Sequence, residues 1–437
     1  MCRAIENHKG IISSWIVVIF VAMSPFAQAQ SSSPVFTKDI LPILQEHCQG
    51  CHRPGQIAPM SLLTYKEVRP WAKSISKEVS NRNMPPFHAE SPLGYFEDDP
   101  RLTDEQVNSI VQWVADGAPQ GNPKLAPPPL EWPGEYWHIG KPDQIFEFTD
   151  YTINHELRDG DFALLFSDYV FPEDTWVKAI EFKPSDYSLV HHAGVLTVDD
   201  RYKVPENNIL LNTTEEGTGQ VQKKNVKLLK QNFMFTWLPG LDVSYRGDGQ
   251  GYLIKKGDRL VLQVHYATVD EATNCDIQVG IKFVHGEINF EHKAIGMIMN
   301  KMKIPPHDPS YVIKRVVAFP QDSEIQAFLV HMHLRGKSTK FVFTYPDGRV
   351  ETAFHVPKYN FDWQRTYHLK EPYTVPKGTQ VEIIAEWDNS AGNPLNPDPS
   401  LEIGWGWKTN DEMYGGSIYH TVKLDEPIMV YRGRELK

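Results

Sequence analysis

The chain has 437 residues, enough for about three domains at roughly 150 residues each. With 41% apolar and 23% charged residues, it is neither a wholly disordered chain, a collagen, nor a multi-span membrane protein. Lys plus Arg total 44 against 55 for Asp plus Glu, a net charge of -11 with no long basic run, so the footprint of a nucleic-acid binder is missing.

The first segment reads as a secretory signal over residues 1–29. Arg3 and Lys9 give a basic start, Ile11 to Met23 a short apolar stretch, and Ala27-Gln28-Ala29 a cleavage site. The product is expected in the periplasm or outside the cell. No later stretch is long and apolar enough for a membrane span, which needs about 20 residues.

Cys2 leaves with the signal, and Cys48, Cys51 and Cys275 remain. Cys48-Gln49-Gly50-Cys51-His52 is C-x-x-C-H, the attachment signature of a covalently bound haem c. Two thiols bond the haem vinyl groups and His52 is placed to ligate the iron. A redox dithiol also fits the two cysteines, but not the adjacent histidine. A second axial ligand is needed, and Met84, within Asn83-Met84-Pro85-Pro86, is favoured over Met60, eight residues from His52. Cys275 reads as a small buried apolar side chain.

Helical signals surround this motif. Asp39 to His47 leads into the cysteines, and Trp71, Ile75 and Val79 form an apolar stripe. Thr103 to Gln106 is a capping box for a helix carrying Val107, Ile110, Val111 and Val114 and closed by Gly117. Residues 30–118 are therefore expected to be a small all-α cytochrome c domain. Six prolines between 119 and 133 mark a stiff linker, residues 119–134.

Beyond the linker the period falls from 3.6 to 2. Leu260, Leu262, Val264 and Tyr266 alternate with Val261, Gln263 and His265, and Val381, Ile383, Ala385 and Trp387 with Glu382, Glu386 and Asp388. These are strands, and Tyr345-Pro346-Asp347-Gly348 is a hairpin-type turn. Lys256-Gly257-Asp258 and Lys377-Gly378-Thr379 each lead into one of the alternating runs, an echo consistent with two successive β-sandwiches.

Five histidines stand in arrangements suited to metal. His331-Met332-His333 puts two imidazoles on one face of a strand. His191-His192 would ordinarily point to opposite faces, so joint ligation needs a local kink or different ring nitrogens. His265 shares its strand face with Gln263. Taken singly, each reads as an ordinary core histidine.

Together, the order of His-His, Gln263-Val264-His265-Tyr266, His-x-His and a late methionine, Met413 in Thr409-Asn410-Asp411-Glu412-Met413, resembles the copper type II, ascorbate-dependent monooxygenases over about residues 140 to 437. The resemblance implies tandem all-β jelly-roll sandwiches, residues 135–289 and 290–437, each contributing one copper to a shared cleft. It assigns His191, His192 and His265 to an electron-transfer copper, His331, His333 and Met413 to a dioxygen-binding copper, and Gln263 to the coupling of electrons near the first. Soft thioether with imidazole suits Cu(I), while three imidazoles tolerate both oxidation states.

The chain also departs from that family. Peptide-amidating members hold a substrate carboxylate with an Arg two residues before His-x-His, where this chain has Leu329, and Tyr414-Gly415-Gly416-Ser417 replaces their polar and aromatic residues after the methionine. The animal members are disulfide-rich, whereas here Cys275 stands alone outside the haem motif. The expected activity is hydroxylation of a C–H bond of a small or medium organic substrate with O2, using two copper ions and one haem c. Electrons would come through the haem, from ascorbate, or from a redox-protein donor. The alternatives are a non-catalytic copper-binding electron relay or redox sensor on the same folds, and a β-sandwich binding module with incidental histidines.

Overall fold

The computed structural model describes residues 33–436, apart from 57, 98, 133–136, 150, 154, 156–161, 200–203, 205–208, 212–232, 239–242 and 407. The expected signal segment lies outside them. No helix among the described residues is long and apolar enough to cross a membrane.

Thr103 caps the helix Asp104–Ala115 as its sequence requires. Its hydroxyl accepts from Gln106 N–H, and Gln106 Oε1 accepts from Thr103 N–H at 2.9 Å. Two of the four orphan donors at a helix start are satisfied reciprocally. The helix buries Val107, Ile110 and Trp113 against Leu41–His47 and Ala72–Ser80 in a core that also holds Phe36, Leu44 and Val68. One detail of the apolar stripe differs from expectation. Trp71 is 44% exposed, and Ala72 takes its buried place beside Ile75 and Val79, because Trp71 precedes the first turn of that helix.

The first half of the β region packs a five-stranded sheet, ordered 209–211, 162–170, 259–266, 190–198 and 233–237, against strands 144–148, 277–283, 175–184 and 250–254. In the second half, strands 311–318, 380–387, 336–344 and 350–356 pack against 286–298, 414–431, 323–332 and 366–375. Each half is an antiparallel sandwich, and the two are joined by backbone pairing. Strand Gly286–Ile298 runs parallel to Gln250–Ile254 through Phe290↔Gln250 and Glu291↔Gly251, and antiparallel to Tyr414–Tyr431. One sheet therefore passes through both halves, and that strand crosses position 289/290 without interruption.

The echo between the two Lys-Gly turns has a structural counterpart. Gly257 N–H donates to Phe171 O and Phe171 N–H to Asp258 O, both at 2.8 Å; Gly378 N–H donates to Phe319 O at 2.9 Å and Phe319 N–H to Thr379 O at 3.0 Å. Both glycines have positive φ, +89° and +86°, the left-handed region that favours glycine. Each turn thus clamps a buried phenylalanine at the same corner of its sandwich.

The helical segment is not separate from the β region. Ala89 and Phe96 belong to the second sandwich's core. Glu90 N–H donates to His355 O and Glu97 N–H to His368 O, both at 2.8 Å, so residues 87–97 lie along strands 350–356 and 366–375.

Candidate metal centre

The kink that adjacent histidines require is present. Strand Val190–Val198 pairs with Arg259–Tyr266 so that His192 faces His265 while Tyr266 faces Val190. His191 is the extra residue of a β-bulge, which re-aims its side chain. The ligand nitrogens of His191, His192 and His265 all lie within 4.8 Å of one another, and the Nδ1 atoms of His191 and His192 are 3.0 Å apart.

His331 and His333 follow the alternation of their strand end. Their ring centroids are 5.1 Å apart, and the intervening Met332 turns into the sandwich core. The ladder pairs His331 with Gly415 and ends at Met332 with Tyr414, so His333 and Met413 are the next residues beyond the two strand ends. Met413 is buried and shares a cavity of ≈ 70 Å³ with His331, His192 and Gln263. The two groups adjoin, since the His192 and His331 centroids are 5.1 Å apart.

Second contacts orient these rings. His331 Nδ1–H donates to Gln364 Oε1 at 2.6 Å, and His333 Nδ1–H donates to Asp411 O at 3.1 Å. The His331 ring is thereby left with Nε2 as its ligating nitrogen, the usual way a neighbour fixes the tautomer of a ligating histidine, while His333 also meets the backbone of Lys408. Thr409 Oγ1 lies 3.2 Å from His265 Nε2, a link from the second half onto the first. Phe361 stands among the rings, stacked on His191 with centroids 5.0 Å apart and 6.1 Å from His333.

Burial pushes His191 and His331 down to about 4. Burial, then the neighbouring imidazoles, holds His192 and His333 well below the ordinary histidine value. These four rings are therefore neutral near pH 7, with lone pairs available. Buried neutral imidazoles beside a buried thioether fit copper, particularly its reduced ion.

Glu412 holds this geometry. It is fully buried, and its carboxylate accepts from the backbone N–H of Arg335 at 2.6 Å and of His333 at 3.2 Å, and from Trp387 Nε1–H at 3.0 Å. Burial raises its carboxyl to about 7, against the hydrogen bonds that favour its charged form. The segment before Met413 is thereby fastened to the turn after His333. Phe361, Gln364, Thr409 and Glu412 were not marked by any sequence pattern; adjacency to Met413 was the one available signal, and only for Thr409 and Glu412.

Gln263 lines the cavity opposite Gly194, buried, with no hydrogen-bond partner for its Oε1 among the described residues. Cys275 is buried in the first core, its sulfur near Ser185 and Asp186.

At the Cys48–His52 segment, Cys48 follows the helix Leu41–His47 as its C-cap, and His52 N–H donates to Cys48 O at 2.9 Å. Cys48 and Cys51 are unbridged. Burial, and then Cys51, pushes the Cys48 thiol up to about 12. His52 Nδ1–H donates to Met60 O at 3.2 Å, which leaves Nε2 for an iron. The residues fit a haem at that ring. Met60 packs with Cys48 on the helical core, whereas Met84 lines a groove with Phe87, Tyr359 and Trp363.

The chain matches no protein-family model and no curated protein. Among solved structures it is similar to the major capsid protein P2 of bacteriophage PM2, at 10% identity over 64% of this chain and 98% of that one, with a TM-score of 0.22. It is also similar to a structure of infectious bursal disease virus, Gx strain, at 9% identity over 65% of this chain and 72% of that one, with a TM-score of 0.19. These superpositions are too loose to define a relationship.

Proposed function

We propose that the chain is an exported haem–copper monooxygenase that hydroxylates a C–H bond of an organic substrate, with a c-type cytochrome domain in its helical segment and two jelly-roll copper domains in its sandwiches. The observation that carries this reading is the convergence of five imidazoles, drawn from three strands of two sandwiches, beside the buried Met413. A bulge that brings two adjacent rings to a third supports it further.

In this reading His191, His192 and His265 hold one copper, His331, His333 and Met413 the other, and Cys48, Cys51 and His52 the haem, with Met84 or Met60 as sixth ligand. Bound copper would supply one-electron reduction and dioxygen activation, and bound haem a one-electron store. The chain's own residues do the positioning. Gln364 orients the His331 ring with Nε2 toward the site, and the Asp411 carbonyl orients His333. Glu412 keeps Met413 at the same end of the strand pair. Phe361 covers one side of the first triad, stacked on His191.

The test is composition followed by turnover. Elemental analysis and mass of the purified mature protein should give one covalent haem and two coppers per chain. Substrate-dependent oxygen uptake should follow, with ascorbate or a reduced redox protein as donor. A relay would bind copper and cycle its haem without such uptake, and that result would replace the oxygenase reading.

A further inference from the structure

The cavity beside Met413 and His331 also bears on which part of a substrate can reach them. Its described lining contains no Asp, Glu, Lys or Arg. Its polar groups are side-chain amides and hydroxyls of Gln263, Gln364, Thr236 and Ser417, together with the imidazoles of His192 and His331; its apolar lining includes Ile298, Leu329, Leu238 and Phe233. An ion entering it would exchange its hydration for groups unable to pair its charge, which is strongly unfavourable.

Size narrows the choice further. At ≈ 70 Å³ the space is about half that of an engineered apolar cavity of about 150 Å³ that accepts benzene. It takes a group of a few carbons. Two glycines define the wall. A Cβ on Gly194 would meet Phe233 Cε1 at 2.6 Å, and one on Gly416 would meet Tyr414 Cε1 at 2.8 Å. Leu329 lies two residues before His331 on the same strand, paired with Ser417 of the adjacent strand. An aliphatic side chain thus occupies the wall one strand repeat from the histidine.

We infer that the portion of substrate presented to Met413 and His331 is an uncharged, short alkyl group, held by shape and apolar contact instead of by an ion pair. This rests on the oxygenase reading for its chemistry, but the binding preference stands or falls separately.

The experiment uses full-length, copper-free protein and three probes of equal carbon count, 1-propanol, propionate and propylammonium, with affinities ranked by saturation-transfer NMR at pH 7. At least a tenfold preference for 1-propanol over both ions is expected. Preference for either ion, equal binding of all three, or no binding of the alcohol would overturn the inference. Leu329→Arg should reverse the order in favour of propionate, while Leu329→Met should preserve the wild-type order. Should the arginine variant fail to fold, the wild-type ranking and the methionine variant still decide the matter. Because the ranking is made without copper, an absence of oxygen uptake by the copper-loaded protein in a separate assay would remove the oxygenase reading and leave the ranking intact. A ranking that favours ions would remove this inference and leave the metal centre intact.

Discussion

The Phe361 ring lies 5.0 Å from the His191 imidazole and only 22° from parallel to it. The phenylalanine comes from the loop after strand Val350–Val356, and the histidine from the bulge in strand Val190–Val198, so one stacked pair joins the two sandwiches at the metal centre. Replacing Phe361 by Leu removes an aromatic contact worth about 0.5–1.5 kcal/mol beyond the area it buries. Phe361→Leu should keep two coppers per chain while altering the electron paramagnetic resonance signal of the three-histidine ion. Spectra identical to wild type would show that the ring does not constrain that ion.

The bulge makes a sharper prediction. With His191 and His192 both changed to Ala, His265 alone cannot hold an ion, and copper content should fall from two to one per chain with the haem spectrum unchanged. Plasma emission spectroscopy on the dialysed protein measures this. An unaltered stoichiometry would refute the first site.

Met413→Ile keeps the side chain apolar and close in volume but removes the only thioether assigned to the second site. Oxygen uptake should disappear while the haem spectrum and the three-histidine copper remain, because only the ion that needs a soft ligand is affected. Retained turnover in an oxygen electrode would dispose of the assignment.

How far the sequence revealed this arrangement depended on how local each signal was. The alternation of Val381, Ile383, Ala385 and Trp387 against polar neighbours matches their burial residue by residue. The Thr103 capping box and the turn at Gly348 also formed as read. In strand Arg259–Tyr266 the same alternation misleads about exposure. Leu260, Leu262 and Val264 face the first core, yet Val261, Gln263 and His265 are buried as well, because further packing covers the strand's second face. Phe361 and Gln364 lie in a loop with no period to read. The pairing of Phe290 with Gln250 joins strands that no local pattern relates.

The pH dependence of stability should carry a signature away from the metal centre. His420 is buried against the edge of Phe319, and burial, followed by the charge of Lys293, pushes its value down to about 4. The unfolded chain binds a proton at this residue near pH 6.5, so the native state holds fewer protons between the two values. Stability is therefore full above about pH 6.5, falls as pH drops toward 4, and levels off below that. The full contribution is about 3–4 kcal/mol. Urea unfolding of His420→Leu should show a shallower loss across this window than wild type. Parallel curves would remove His420 as the cause.

The strand Gly286–Ile298 acts as a splint across the molecule, bonded on one edge to the first sandwich and on the other to the second. Jaw-like parting of the halves would have to shear backbone rungs at Phe290 and Glu291 and tear His265 from Thr409. The separation of the two histidine groups, 5.1 Å between the His192 and His331 ring centroids, is thus referenced to one continuous sheet as well as to the side chains packed around them.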